Sequence, residues 1–494
     1  MNEKNISVRK NMVMSAILSM SSFIFPIITF PYVSRILHAS GTGRINFVTS
    51  AVTYFGMFVQ LGIPTYGVKQ VAKVRDDRDK LSKLVHELLF INLIMAVLVY
   101  IVFVTCVFCV PKFSRNKALF FIIGLSIGLN ALGIEWLYRG LEKFTYITIR
   151  SLIFKLIGII AMFALVHNEE DYIIYGAITI FASSASNILN FINARKYINF
   201  KKYKDYNLKQ HTGAVFTFFM MSVATTVYTN LDNVMLGFFK DDETVGYYGA
   251  AVKIKNILIS IITSISGVLL PRASYYVEKN LRDDFARILK KTMHLVIFLA
   301  MPMTAYFMVY AAEGITFLSG TGFEGSIIPM IIIMPTLLLV GISYVTGIQM
   351  MVPLGMEKKV LISEILGAVV DLVINAILIP RFGASGAAIG TLIAEIVVLC
   401  YQLYVVRGEG IKIFEQVKLL HIFIATVIST VLGFGFKWLN VTDKVELNSF
   451  IRIALSGIVF FGFYALYMLI FKNEVALEIV GKLFKKLKKT KEED

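Results

Sequence analysis

Acidic residues are scarce in this chain: 33 Asp and Glu stand against 49 Lys and Arg, and charged residues make up only 17% of its 494 positions. A water-soluble chain of this length would need more polar surface. The scarcity excludes an ordinary soluble protein and makes lipid the solvent for most of the exterior. Cysteine is nearly missing. Cys106, Cys109 and Cys400 all fall inside apolar runs, which excludes a disulfide framework and leaves them as small packing residues. No His/Cys cluster, phosphate-binding loop or nucleophile constellation occurs, so neither metal nor cofactor is expected. Long polar stretches are lacking too. The largest, Arg195 to His211, reads as a basic connector, not a domain.

What is present is apolar: 57% of residues are hydrophobic and the mean hydropathy is +0.71. The net charge of +16 does not indicate a nucleic-acid partner, because the basic residues are scattered between long apolar segments. Segments of about 20 residues, long enough to cross a bilayer, run approximately 11–37, 45–68, 84–110, 118–138, 146–166, 172–194, 212–238, 246–270, 292–312, 326–350, 360–380, 384–406, 418–438 and 451–471. The first is too long for a signal-peptide core and lacks a cleavage site, so it is expected to remain as a span. The expected class is therefore all-α and integral to the membrane, with about fourteen spanning helices.

Loop charges orient these spans. Roughly 36 of the 49 Lys and Arg fall on the side shared by both termini, which is thus predicted to be cytoplasmic. Glu169, Glu170 and Asp171, then Asp241, Asp242 and Glu243, mark the opposite side. Trp136, Tyr138 and Trp438 fall at span ends, where interfacial rings are expected. In the tail, Ala476, Val480, Leu483, Phe484 and Leu487 recur at helical spacing among Lys482, Lys485, Lys486 and Lys488. Two readings stand, a helix lying on anionic lipids or a disordered basic tail.

Internal similarity gives the domain plan. Gly140-Leu141-Glu142-Lys143 recurs as Gly355-Met356-Glu357-Lys358, and Gly176-Ala177-Ile178-Thr179 as Ala388-Ile389-Gly390-Thr391. Gly43 and Gly246 occupy matching places near the second and eighth spans. The offsets imply two pseudo-symmetric six-helix lobes in the same orientation, residues 1–204 and 205–410. Two further helices (411–472) and the basic tail (473–494) follow. A substrate site is expected between such halves near the midplane.

The runs Pro31-Tyr32-Val33-Ser34-Arg35-Ile36-Leu37, Leu61-Gly62-Ile63-Pro64-Thr65-Tyr66-Gly67 and Glu135-Trp136-Leu137-Tyr138-Arg139-Gly140-Leu141-Glu142 resemble the polysaccharide-repeat flippases. So do Leu231-Asp232-Asn233-Val234-Met235-Leu236-Gly237, Val245-Gly246-Tyr247-Tyr248-Gly249-Ala250-Ala251-Val252-Lys253-Ile254 and Pro353-Leu354-Gly355-Met356-Glu357-Lys358. The resemblance covers nearly the whole chain and implies the multidrug/oligosaccharidyl-lipid/polysaccharide exporter superfamily. It further implies a bacterial cytoplasmic-membrane transporter, not an enzyme. The implied cargo is an undecaprenyl-diphosphate-linked oligosaccharide, carried from the inner to the outer leaflet by alternating access for capsule, O-antigen or exopolysaccharide. A polysaccharide polymerase is an implied partner, and the chain is expected to be a monomer.

Charges inside spans need a reason, since each is costly at the bilayer centre. Lys155 in the fifth span, Arg150 before it, and Lys253 and Lys255 in the eighth could give a cavity a positive wall for a diphosphate. The alternative is that they snorkel to an interface. Asp232, Glu364, Asp371 and Glu395 are candidates for ion coupling or for simple helix-to-helix hydrogen bonding. Pro26, Pro31, Pro329 and Pro335 favour bends. Gly386 and Gly390 form a close-packing pair. Rival readings are a peptidoglycan-precursor flippase or drug exporter of the same superfamily, or a membrane glycosyltransferase or polymerase. The lysines argue against a cationic drug. The longest outer segment, Ala311 to Gly325, offers only Glu313 and Glu324, which argues against an enzyme.

Overall fold

The computed structural model of the chain describes residues 8–267, 269–478 and 481. Among them there is no strand. Thirteen stretches are long and apolar enough to span a membrane, and the first, Val13–Val74, covers two of the predicted spans. The chain is thus an all-α, multi-pass membrane protein. It divides into two compact units, 1–246 and 247–494. Of the predicted tail helix, Ala476 is described and helical, while Val480 and the segment from Lys482 onward lie outside the described residues.

The first unit contains α1 (Val8–Gln60), α2 (Ile63–Val74), α3 (Arg78–Cys109), α4 (Pro111–Ser114), α5 (Lys117–Leu132) and α6 (Glu135–Gly140). It continues with α7 (Phe144–Leu165), α8 (Tyr172–Ile180), α9 (Asn187–Asn193), α10 (Lys209–Phe239) and the start of α11 (Asp242–Gly267). α1 packs against α3, α5, α7 and α10. Its break falls at His38, whose φ of 54° lies in the left-handed region, and not at Pro26 or Pro31. The helix persists through both prolines, and beside them Thr29, Ser34 and Arg35 side chains donate back to the carbonyls of Phe25, Phe30 and Pro31.

Gly43 explains how α1 meets the start of α11. A Cβ there would lie 1.7 Å from the Asp242 carbonyl oxygen and 2.7 Å from the Gly246 nitrogen, and one on Gly246 would lie 2.0 Å from the Ala39 carbonyl. The two glycines whose spacing suggested a repeat are therefore a packing pair. Arg44 Nε, 3.1 Å from Asp242 Oδ2, and Lys112 Nζ, 3.5 Å from Oδ1, hold the carboxylate of the residue that crowds Gly43. Gly43→Ala is expected to destabilise the unit by about 1–3 kcal/mol, since backbone must shift to admit the methyl group. Size-exclusion chromatography of a fluorescent fusion will show this as lost monodisperse protein. An unchanged, equally heat-stable peak would contradict the contact.

Apolar packing concentrates where α2, the start of α3, α6 and the connector meet, in a core that includes Ile63, Leu81, Leu88, Trp136, Leu137, Tyr138 and Ile198. Trp136 and Tyr138 are 3% and 0% exposed, which corrects the expectation of interfacial rings. The chain breaks between α5 and α6 and turns Trp136 onto Gly67, while the Tyr138 hydroxyl donates to Asn190 O at 2.6 Å. Trp438 does remain exposed, against Phe434.

The connector is pinned along α3. Asn199 N donates to Ser82 Oγ, the Tyr203 hydroxyl to Asp79, and Lys201 pairs with Asp79 at 3.0 Å. The Asp79 carboxylate holds the Lys201 ammonium above its usual range. Asp77 caps α3 by accepting from the backbone of Asp79 and Lys80, and the Lys80 N–H leads in keeping its carboxyl below the usual value. Farther in, buried Glu87 accepts from His211 Nε2 at 2.9 Å, Gln210 Nε2 at 3.0 Å and Asn207 N at 2.8 Å. The other ring nitrogen of His211 meets the Tyr66 hydroxyl at 2.8 Å. This network ties the foot of α10 to α2 and α3.

The second unit holds the rest of α11, then α12 (Leu270–Glu278), α13 (Arg282–Val309), α14 (Ala311–Ser319), α15 (Ile327–Ile333), α16 (Thr336–Ser343), α17 (Glu357–Phe382), α18 (Ala384–Arg407), α19 (Leu419–Phe434) and α20 (Val445–Ile470). Pro335 sits at the break between α15 and α16, as its missing N–H requires. α17 and α18 pack most extensively, through the glycine pair. A Cβ on Gly386 would meet Leu378 O at 2.5 Å, and one on Gly390 would meet Asn375 Oδ1 at 2.1 Å. A π-helical turn, Tyr344–Met351, carries Thr346, which donates to Gln402 Oε1, while Gln402 Nε2 donates to Ser363.

Candidate functional site

A polar cavity of about 730 Å³ opens within the first unit. It lies where short or broken elements leave gaps: the end of α1, the first turns of α2, the α5–α6 break, and a π-helical turn, Phe181–Ala185, before α9. Amides line it from four directions, as Gln60, Asn92, Asn130 and Asn187, with hydroxyls from Thr65 and Ser183. Asn187 Nδ2 donates to Asn130 Oδ1 at 2.9 Å. Asn92 is 3% exposed, and its Oδ1 has no hydrogen-bond partner among the described residues. A buried amide oxygen left without a partner is costly unless something in the cavity meets it.

Charge in the cavity comes from Lys69, Arg139 and Glu135, with Trp136 and Phe144 as aromatic walls. Glu135 is a shared carboxylate. Its Oε1 accepts from Arg139 at 2.8 and 2.9 Å, and its Oε2 from Arg150 at 3.1 Å. Arg150 is 6% exposed and also donates to Ser186 O at 3.3 Å. Arg150 is thus folded into protein behind the cavity wall, where it helps to neutralise Glu135. Amides, hydroxyls and aromatic faces suit a carbohydrate, and guanidinium and ammonium groups suit phosphate.

The other sequence candidates are distributed as follows. Lys155, half-buried on α7, donates to Ser21 Oγ at 2.9 Å and Ser22 Oγ at 3.1 Å, so it and Arg150 take different partners. Lys253 and Lys255 are half-buried on α11. That helix begins four residues before the expected span, which sets Lys253 about 16 Å along it. Asp232 is buried on α10, Asp371 on α17 and Glu395 on α18, while Glu364 is half-buried two turns before Asp371. Asp371 belongs to the α17–α18 contact, its Oδ1 lying 3.1 Å from where a Gly390 Cβ would be. Lys69, Arg139 and the four amides were not picked out from the sequence. The signal for Arg139 was present in the Glu135-Trp136-Leu137-Tyr138-Arg139-Gly140 run, where residues four apart face one way. The amides carried no local signal.

The family described as "Polysaccharide biosynthesis protein" matches residues 8–277, more than half of the chain. The chain belongs to this family. The match spans the first unit from residue 8 onward and every residue lining its cavity. Among relatives, the "Putative O-antigen transporter" of Escherichia coli (strain K12) is 25% identical over 415 residues, covering 84% of this chain and all of that one. The "Probable low-salt glycan biosynthesis flippase Agl15" of Haloferax volcanii is 23% identical over 276 residues, 55% of this chain and 53% of its own length. Among solved structures, the lipid II flippase MurJ in an inward closed conformation superposes with a TM-score of 0.73 at 18% identity, covering 92% of this chain and 99% of that one. A MATE protein in a bent conformation gives 0.53 at 12% identity, covering 80% and 94%. These likenesses establish a shared fold, in agreement with the superfamily that the motifs suggested.

Proposed function

We propose that this protein is a flippase for a lipid-linked oligosaccharide. It moves an undecaprenyl-diphosphate-linked repeat unit from the inner to the outer leaflet of the bacterial cytoplasmic membrane by alternating access. The unit then serves capsule, O-antigen or exopolysaccharide synthesis. The observation that carries this reading is the cavity of the first unit, where four amides and two aromatic rings stand with Lys69 and Arg139. Its donors suit a glycan joined to a diphosphate, and the excess of Lys69 and Arg139 over Glu135 disfavours a cationic drug. Family membership and the names of the relatives support the same reading. The excess of Lys and Arg on one set of loops supports cytoplasmic termini. The internal sequence matches support two six-helix lobes, 1–204 and 205–410.

Lys155 and Lys253 belong to this proposal as cations along the path of the diphosphate. Replacing both with glutamine is expected to abolish surface polysaccharide and to accumulate lipid-linked precursor, with the protein present in membranes at the normal level. Quantitative immunoblotting of membranes beside an assay of surface polymer checks this. Unchanged polymer would remove both lysines from the transport path.

A further inference from the structure

α1 and α7 enclose an apolar groove of about 320 Å³, walled by Met20, Ile24 and Ile28 on one side and Leu152, Leu156 and Ile159 on the other. Met20, Ile24, Ile28 and Leu156 are 58%, 49%, 45% and 58% exposed, as suits side chains that meet hydrocarbon. One charged residue lines it, Lys155, eleven residues into α7 and so about 16 Å along that helix. An ammonium has three N–H bonds. Ser21 and Ser22 take two, and the third has no acceptor among the described residues. Both serine hydroxyls are fixed in turn by donating to Leu18 O. Glu135, the carboxylate acting electrostatically on Lys155, already bears Arg139 and Arg150. The cation is therefore held in place by neutral oxygens in apolar surroundings, an arrangement completed by an anion.

Two other apolar grooves make the contrast. One, lined by Tyr54, Phe58, Leu98 and Val102, measures about 460 Å³, and one lined by Met301, Met308, Phe423 and Val427 measures about 340 Å³. Neither has a charged residue in its wall. They offer room for a hydrocarbon chain but nothing to hold a headgroup.

We propose that the α1–α7 groove seats the lipid carrier itself: the polyprenyl chain lies along Ile24, Ile28 and Leu156, and Lys155 takes a phosphate oxygen. The glycan and the phosphate that bears it then belong to the polar cavity, and the polyprenyl chain with its own phosphate to this groove. The identity of the lipid rests on the flippase reading above; the groove's demand for an alkyl chain bearing phosphate does not.

The test uses the full chain in lipid nanodiscs, with farnesyl diphosphate, farnesol and inorganic pyrophosphate as probes and native mass spectrometry or fluorescence competition as readout. Farnesyl diphosphate should bind tightest, because it alone offers both chain and charge. Lys155→Gln should weaken it by about tenfold or more, the worth of a charge-assisted hydrogen bond, and leave farnesol unaffected. Lys155→Arg should restore binding. Ile24→Trp, which fills the groove, should weaken both prenyl probes. Equal farnesyl diphosphate binding by the wild type, Lys155→Gln and Ile24→Trp would overturn the proposal, as would pyrophosphate competing as well as the prenylated form. Polymer synthesis separates the two readings. Loss of polymer on gene deletion, with normal polymer from Lys155→Gln and Ile24→Trp, rejects the groove and keeps the flippase. Prenyl-diphosphate binding that requires Lys155 and Ile24, with normal polymer after gene deletion, keeps the groove and rejects the flippase.

Discussion

Glu87→Ala should lower the stability of the solubilised protein by about 3 kcal/mol, the cost of stripping one side from a buried polar pair. Glu87 and His211 are 2% and 4% exposed, so water cannot replace the lost carboxylate at His211 Nε2. Asn207 N and Gln210 also lose their acceptor, and both belong to the segment that brings the connector to α10. Glu87→Gln keeps an oxygen in place and should cost markedly less. Thermal unfolding followed by tryptophan fluorescence compares the two, since Trp136 shares the adjoining core. Equal melting curves for wild type and Glu87→Ala would show that the network does not hold α10.

On the proposed flippase reading, replacing Lys69 and Arg139 together with glutamine should cut translocation by about a hundredfold or more, the worth of two charge-assisted contacts to phosphate. Folding should survive. Lys69 and Arg139 are exposed side chains, and Arg150 still holds Glu135 after Arg139 is gone. The pair thus separates transport from stability, the reverse of Glu87→Ala. Surface polymer per folded molecule is the quantity to measure, and a value near wild type would take the phosphate away from this cavity.

The spans were legible because hydrocarbon demands about 20 consecutive apolar residues whatever the neighbours are. The same holds for the α17–α18 contact, where Gly386 and Gly390 sit one turn apart. Other features depend on contacts remote in sequence. His38 carries the break in α1, and a left-handed non-glycine residue leaves no mark in composition. Trp136 and Tyr138 looked interfacial because the apolar run ends near them, yet the turn after Gly133 returns them to the core. Glu87 meets a histidine 124 positions away. The polar cavity was hidden for the same reason. Gln60, Asn92, Asn130 and Asn187 stand on four different helices far apart in sequence, and only folding gathers them. The in-membrane charges were found from sequence because each is individually expensive, but their partners, such as Glu135 for Arg150 and Ser21 for Lys155, were not.

Reconstitution tests the central claim most directly: proteoliposomes containing the protein, loaded on one leaflet with a polyprenyl-diphosphate-linked oligosaccharide bearing a fluorescent sugar, with exposure on the other leaflet read by a membrane-impermeant quencher. Transfer should far exceed that of protein-free vesicles and fall sharply for the Lys69→Gln/Arg139→Gln protein. Transfer no faster than in empty vesicles, or equal for both proteins, would contradict the account.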